Sequence, residues 1–367
     1  MSDTLQQPEI QRAEMPQPTE QKPLSRRQKI RRFGLLLVGL ALFAIVLYLG
    51  GRDSLTQVAR PQPLPLILGL IAIGGAFWAS AGRWALITNR LVGRDVLSHF
   101  ESFTYFVSGF LVGSVASQSV GTVAVRSAAL NQIKQVPLGQ SVASVGIDKL
   151  MDVLFIVLFG LPASIYFARW ITLSQALGLA AVIFILFVAL CMALNQRLLS
   201  PILYAVEWIF GLANRVSFLK KRLANLTANV DGLGDYLQPL MTPQTLLWIA
   251  LYSLLKQIML ATRLYFIAQT VDLPISLGIL FLGVPMAQFS LFLAFTPGAL
   301  GVLEAGWYGI LSAAAIDSET TITFVIAQRA YNFLYTVALT ILSYAVMLVG
   351  RLTHRFQQGN SDPIQHL

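Results

Sequence analysis

The stretch Thr296-Pro297-Gly298-Ala299-Leu300-Gly301-Val302-Leu303-Glu304 sets a helix breaker and a carboxylate inside otherwise continuous, membrane-grade apolar sequence. Backbone freed from helical hydrogen bonding is tolerated at membrane depth only where protein buries it or a wet cavity receives it. The stretch therefore predicts the bend of a broken or re-entrant helix beside a cavity. Glu304 falls in the first turn after that bend, where the helix dipole favours an anion. A carboxylate at this depth is a functional candidate; the competing reading is a structural kink with Glu304 at the water interface.

Composition fixes the class around this bend. Hydrophobic residues make up 56% of the 367 and charged residues 12%, with mean hydropathy +0.67. Several apolar runs reach the roughly 20 residues that cross a bilayer core. The fold class is an all-α polytopic membrane protein, with about seven to eight transmembrane helices plus re-entrant or broken helices. The net charge of +9 would point to nucleic acid in a soluble protein. Here the basic residues cluster in short loops beside the spans, the usual cytoplasmic-face bias, so no nucleic-acid partner is expected. Cys191 is the only cysteine, which rules out an internal disulfide. His99, His354 and His366 lack the close spacing of metal ligands, and neither a metal nor a cofactor is expected.

Residues 1–32 read as a disordered tail, rich in Gln, Glu and Pro and basic at its end. The membrane domain covers 33–350 and opens with a span over 33–51 that has no cleavage site after it, putting the N-terminus in the cytoplasm. The next span, 64–87, returns inward carrying Arg83, which suits either a snorkelling interfacial residue or a cavity residue. Between 99 and 121 the run is broken by Gly109, Gly113, Ser114, Ser117, Gln118, Ser119 and Gly121. Arg90, Arg94, Arg126 and Lys134 flank it on both sides, so a re-entrant hairpin with both ends cytoplasmic is expected. The span 141–167 contains Asp148, Lys149 and Asp152, at helical spacings of four and three that share one face. A clean span over 171–194 leads to a cytoplasmic, amphipathic connector, 195–242. The span 244–269 carries Lys256 and Arg263, and the last run, 321–350, contains Arg329. Arg351 and Arg355 then put the tail 351–367 inside.

One numerical regularity ties the halves together. Arg83 and Arg263, Gly121 and Gly301, Lys149 and Arg329, and Asp152 and Asn332 each stand 180 positions apart (263 − 83, 301 − 121, 329 − 149, 332 − 152). Loop charge runs the opening span of one unit inward and that of the other outward. An inverted repeat of units 64–170 and 244–350 is the reading, a plan in which broken helices of the two halves meet near the midplane.

Arg83-Trp84, the Gly121-to-Arg126 spacing, Asp148-Lys149-x-x-Asp152, Pro297-Gly298-Ala299-Leu300-Gly301-x-x-Glu304 and Arg329 together resemble the lysylphosphatidylglycerol synthase transmembrane-region, flippase-like integral membrane proteins. The resemblance covers about 33–350. It departs where the family usually has Glu-Arg-x-x-Asp in place of Asp148-Lys149-x-x-Asp152, and where Ser117 replaces a common proline. It implies a domain that moves or presents lipids across a prokaryotic cytoplasmic membrane. The chain runs only about a dozen residues past Arg355, so a stand-alone member without the soluble aminoacyl-tRNA-dependent transferase is expected.

The functional expectation is a lipid transporter with a charged cavity. Lys149, Arg329, Arg263, Arg83 and Arg126 would attract a lipid phosphate, with backbone N–H groups at the Gly121 and Pro297-Gly298-Gly301 bends assisting. Glu304, Asp148 and Asp152 would balance those charges, receive a cationic head group or take up protons. The same charges also fit a purely structural ion-pair network. Expected partners are membrane lipids, anionic or phosphate-bearing, with lipid-modifying enzymes and a second copy of the chain as protein candidates. No catalytic motif is present; the alternatives kept are an intramembrane lipid-modifying transferase and a non-transporting scaffold.

Overall fold

The structure is a computed structural model that describes residues 54–115, 118–194, 237–292 and 299–359. The tail 1–32, the span 33–51, most of the connector 195–242 and the breaker Pro297-Gly298 lie outside the described residues. Within them the chain is helical throughout. In order come α1 (Pro63–Val92), α2 (His99–Val115), α3 (Gln118–Ala128) with a π-helical turn (Ala129–Ile133), and α4 (Leu138–Phe167). They are followed by α5 (Leu173–Leu194), α6 (Pro243–Thr270), α7 (Leu277–Phe292), α8 (Val302–Ala313) and α9 (Ser318–Gly359).

Five of these, α1, α4, α5, α6 and α9, are long and apolar enough to cross a membrane. The protein is thus a polytopic helical membrane protein. α5 is the most apolar, with a mean hydropathy of 2.8 and little of its surface covered, as expected of a helix whose side chains meet lipid on most sides.

Local chemistry sets the helix ends. Pro63 and Pro243 occupy the first turns of α1 and α6, where a missing N–H costs nothing. Gly93 closes α1 at φ 73°, returning its N–H to the Asn89 carbonyl at 3.0 Å. Thr242 caps α6 by accepting from the Thr245 N–H. Ser98 and Glu101 form a reciprocal capping box at the start of α2.

α1 and α6 form the most extensive helix pair and run antiparallel. The Gln62 N–H donates to the Thr270 carbonyl at one end, Gly75 lies against Met259, and Arg83 bonds Ser253 further along. Around this pair sit two helical hairpins. In the first, α2 packs on α3 so closely that a Cβ on Gly121 would lie 2.7 Å from the Gly113 Cα. In the second, α7 packs on α8, with Gly283 against Trp307 and Gly306 against Ser290. The main core cluster joins α1, α6, α7, α8 and α9 through Ile73, Phe77, Leu264, Leu280, Trp307 and Phe324.

Helix boundaries repeat the spacing seen in the sequence. α6 begins 180 residues after α1 (243 − 63), and α9 begins 180 after α4 (318 − 138). Each set runs long helix, short helix, break, short helix, long helix.

Candidate functional site

The charged residues of the membrane helices form separate groups, rather than the single gathering the sequence suggests. The larger sits where α1, α3, α4 and α6 meet. Asp148 and Asp152 lie one turn apart on α4, so both carboxylates face α1. Arg83 reaches across from α1: its Nε donates to Asp148 at 2.8 Å, Nη1 to the Ser253 hydroxyl at 2.9 Å, and Nη2 to the Asp148 carbonyl and the Asp152 carboxylate. Every edge of the guanidinium is therefore used, a role a lysine could not fill.

The second oxygen of Asp148 accepts from Arg126 Nη2 at 2.9 Å. Arg126 is fully buried and stacks its guanidinium over the Trp84 ring, 4.1 Å from its centroid, with Phe106 on the other approach. Trp84 is oriented in turn by an Nε1 bond to Ser144. Asp152 is held from three sides, by Arg83, by Lys149 at 3.2 Å and by Lys256 at 2.6 Å. Asp148 is wholly buried, whereas the Lys149 side chain is 41% exposed. The cluster thus grades from a dry end at Asp148 to an open end at Lys149.

Four cations (Arg83, Arg126, Lys149, Lys256) meet two anions (Asp148, Asp152), which leaves a net charge of +2. A small polar cavity opens on this cluster, lined by Arg83, Asp152, Ser253, Lys256, Gln257 and Gln288. Phe155 and Ile156 form its apolar side.

The second group involves α6, α8 and α9. Arg263, buried on α6, donates to the Asn332 side-chain carbonyl. Its separation from Asn332 is 69 residues, the same as that between Arg83 and Asp152. The two arginine bonds therefore span the same sequence interval, with an acid as acceptor in one and an amide in the other. Nearby, Glu304 lies in the first turn of α8, as the sequence predicts, and is buried. It folds back so that one carboxylate oxygen accepts from the Gly301 N–H at 2.7 Å, while the other faces Arg329 at 3.5 Å. Gly301 itself sits at φ 81°, a left-handed conformation that a side chain would strain. Gly121, its counterpart, is needed for a different reason, the close approach of α2.

Register along the antiparallel α1/α6 pair separates the groups. Arg263 lies opposite about residue 70 of α1, some 13 residues, or about 20 Å at 1.5 Å per residue, from Arg83. Arg83 and Arg263 consequently stand at different depths. A family model described as "Lysylphosphatidylglycerol synthase TM region" matches residues 33–340. The chain belongs to that family. Among curated proteins none matches the chain. The family match spans both charged groups, so each lies within the lysylphosphatidylglycerol synthase transmembrane region as such.

Sequence reasoning brings together Asp148, Lys149 and Asp152 correctly and pairs Glu304 with the bend. It leaves Lys256 as an unassigned charge, names Trp84 only as part of the Arg83-Trp84 motif, and misses Ser253, Gln257 and Gln288. The available signal is spacing: Ser253, Lys256 and Gln257 are polar at helical intervals on an otherwise apolar span, and Lys256 stands seven residues from Arg263, on the same face. Among the described residues no group of three His, Cys, Asp or Glu forms a metal site.

Proposed function

We propose that this chain is a flippase-like transporter that moves a phosphate-bearing lipid across the membrane along a charged path between two oppositely oriented units. The observation that carries the reading is the cationic excess of the buried cluster beside a polar cavity. An unpaired charge inside a membrane helix costs about 2.5–3.5 kcal/mol on the insertion scale. A purely structural network would be expected to balance; one that holds four cations against two anions is suited to completing its balance with an anionic head group.

The inverted repeat supports a path rather than a static site. Equivalent helices α1 and α6 run antiparallel, and their equivalent arginines stand at different depths. In this reading α2/α3 and α7/α8 are re-entrant hairpins entering from opposite faces, and two anion-attracting stations serve the two leaflets. The setting is a prokaryotic cytoplasmic membrane with both termini on the cytoplasmic side.

The test is leaflet exchange of labelled lipids in proteoliposomes containing the full chain. Wild-type protein is expected to accelerate exchange of an anionic phospholipid over a neutral diacylglycerol. Lys149→Gln and Arg329→Gln are each expected to slow it at least tenfold while the protein stays folded. No acceleration by wild-type protein, under imposed pH and potential gradients of either sign, overturns the reading.

A further inference from the structure

We propose that α7 pivots at Pro285, with Gln257 tying the pivot to α6, and that the stretch of α7 past the proline is the movable wall of the polar cavity. The inference goes beyond the transport reading, because it concerns which wall moves, whatever the cavity admits.

Proline is the starting point. Pro285 stands inside α7 and has no N–H, so the Phe281 carbonyl four residues earlier loses its helical donor. At membrane depth a freed carbonyl must find another partner. The Gln257 side-chain amide on α6 supplies it, donating to the Phe281 oxygen at 2.9 Å. A neighbouring helix thus compensates the break, and α7 need not straighten to satisfy its backbone.

The two sides of the break are packed differently. Before it, Leu280 and Val284 belong to the main core, Leu282 is buried with Ala163 and Ala176, and the Phe281 ring meets Phe159 edge-on at 5.6 Å. Past it, among the described residues 286–290, only Ala287 is buried, and Phe289 is exposed. Gln288 lines the cavity from this side. The cavity's other polar wall is tied down, since Arg83, Asp152, Ser253 and Lys256 are bonded into one network across α1, α4 and α6. Charge-assisted bonds of that kind are stronger than contacts between neutral groups. The wall that can give way is therefore α7 beyond Pro285. As it stands the cavity has room for about one water, so anything larger requires that wall to move.

The first hairpin lacks the device. At the positions 180 residues before Gln257 and Pro285 stand Phe77 and Tyr105 (257 − 77, 285 − 105). Phe77 packs its ring on Phe106 and Phe110, at 5.5 and 4.9 Å, and α2 contains no proline. The donor and the break occur together on one hairpin and are both missing from the other. A side-chain amide placed to complement a proline is the arrangement a hinge needs, because the helix can bend there without exposing a polar backbone group.

The experiment uses the full chain in lipid nanodiscs and reads hydrogen exchange at single amides. In wild-type protein, amides 286–290 are expected to exchange about tenfold faster than 281–284. Pro285→Ala returns an N–H to the Phe281 carbonyl and should bring the two sets within about threefold. Fraying from the end of α7 would be indifferent to residue 285. Gln257→Leu should speed exchange of 281–284 about fivefold beside the native proline, and less than about twofold when Pro285→Ala is also present, because only the broken helix depends on the donated bond. In a Cys191→Ser background, Gln288→Cys should react with a small thiol reagent about fivefold more slowly once Pro285→Ala is added. Exchange and labelling that ignore Pro285→Ala overturn the movable wall. An equal effect of Gln257→Leu with and without the proline overturns its part in the pivot. Neither readout follows lipid movement, so the outcome is separate from that of the transport reading.

Discussion

Two arginine bonds of the membrane helices differ in their acceptor, a carboxylate in one and an amide in the other. Arg83 meets Asp152 and Arg263 meets Asn332, at the same 69-residue separation and at the same place in each set of helices. Around Asp152 two lysines and a second arginine–aspartate pair have accumulated; near Asn332, among the described residues, stands the Arg329–Glu304 pair instead. An acid inside a membrane helix demands compensation, and each added cation demands a share of the acid, so the charged form grows into a network. The amide accepts a bond from Arg263 and brings no charge that asks for further cations. The comparison teaches that the region around Asp152 is a charge store with more cations than anions, and the region around Asn332 a sparser site whose arginine holds its charge against a neutral partner.

The largest effect should come from breaking the dry end of the store. Asp148→Ala leaves Arg83 and Arg126 buried without their shared carboxylate, a loss of about 3–5 kcal/mol, to be read as a fall in unfolding midpoint in detergent. Asp152→Asn, which makes the first unit resemble the second, should cost less, about 1–3 kcal/mol. The same variant should tighten binding of an anionic lipid about tenfold or more, since Lys149 and Lys256 lose the negative charge they share; equal or weaker binding would show that Asp152 does not compete. The converse change, Asn332→Asp, should weaken anion binding by about the same factor, and titration of the lipid against both variants sharpens the contrast.

A smaller difference separates the hairpins. In the first, Glu101 on α2 is joined to Lys134, just past the π-helical turn, at 2.6 Å; 180 residues on stand Phe281 and Ala314, which carry no charge. Partial burial pushes the Glu101 carboxyl up, but bonds from Lys134 and Ser98 outweigh it and hold the group below its ordinary range. The stabilisation is therefore present above the unfolded value, about 4.3, and is lost as pH falls through the folded one. For a pair this exposed it amounts to about 0–1 kcal/mol. Glu101→Gln should remove that slope from the acid limb of the unfolding curve and leave neutral-pH stability nearly unchanged.

Much of this was legible before any coordinates. Continuous apolar runs announce membrane helices because a helix in lipid must present apolar side chains on most faces. The spacing of Asp148, Lys149 and Asp152 gives their shared face, since that depends on helical geometry alone. Glu304 after Gly301 reads correctly for the same reason. What could not be read was pairing between helices. Arg126 finds Asp148 across α3 and α4, and Lys256 finds Asp152 across α6 and α4, by tertiary packing that leaves no trace in local spacing. The expectation that Arg83, Lys149, Arg263 and Arg329 share one cavity failed to reckon with depth. Because α1 and α6 run antiparallel, Arg83 and Arg263 are carried apart along the axis.

That opposition is the claim on which the path across the membrane depends, and one labelling measurement reaches it. Single cysteines at Asp95, just after α1, and at Ser276, just after α6, are to be introduced in turn into a Cys191→Ser background, both sites being exposed. Reaction with an impermeant maleimide in sealed, oriented vesicles is then scored from each side. The account predicts that the two positions react from opposite faces of the membrane. Reaction of both from the same face would contradict it, and with it the pairing of Arg83 and Arg263 as stations for opposite leaflets.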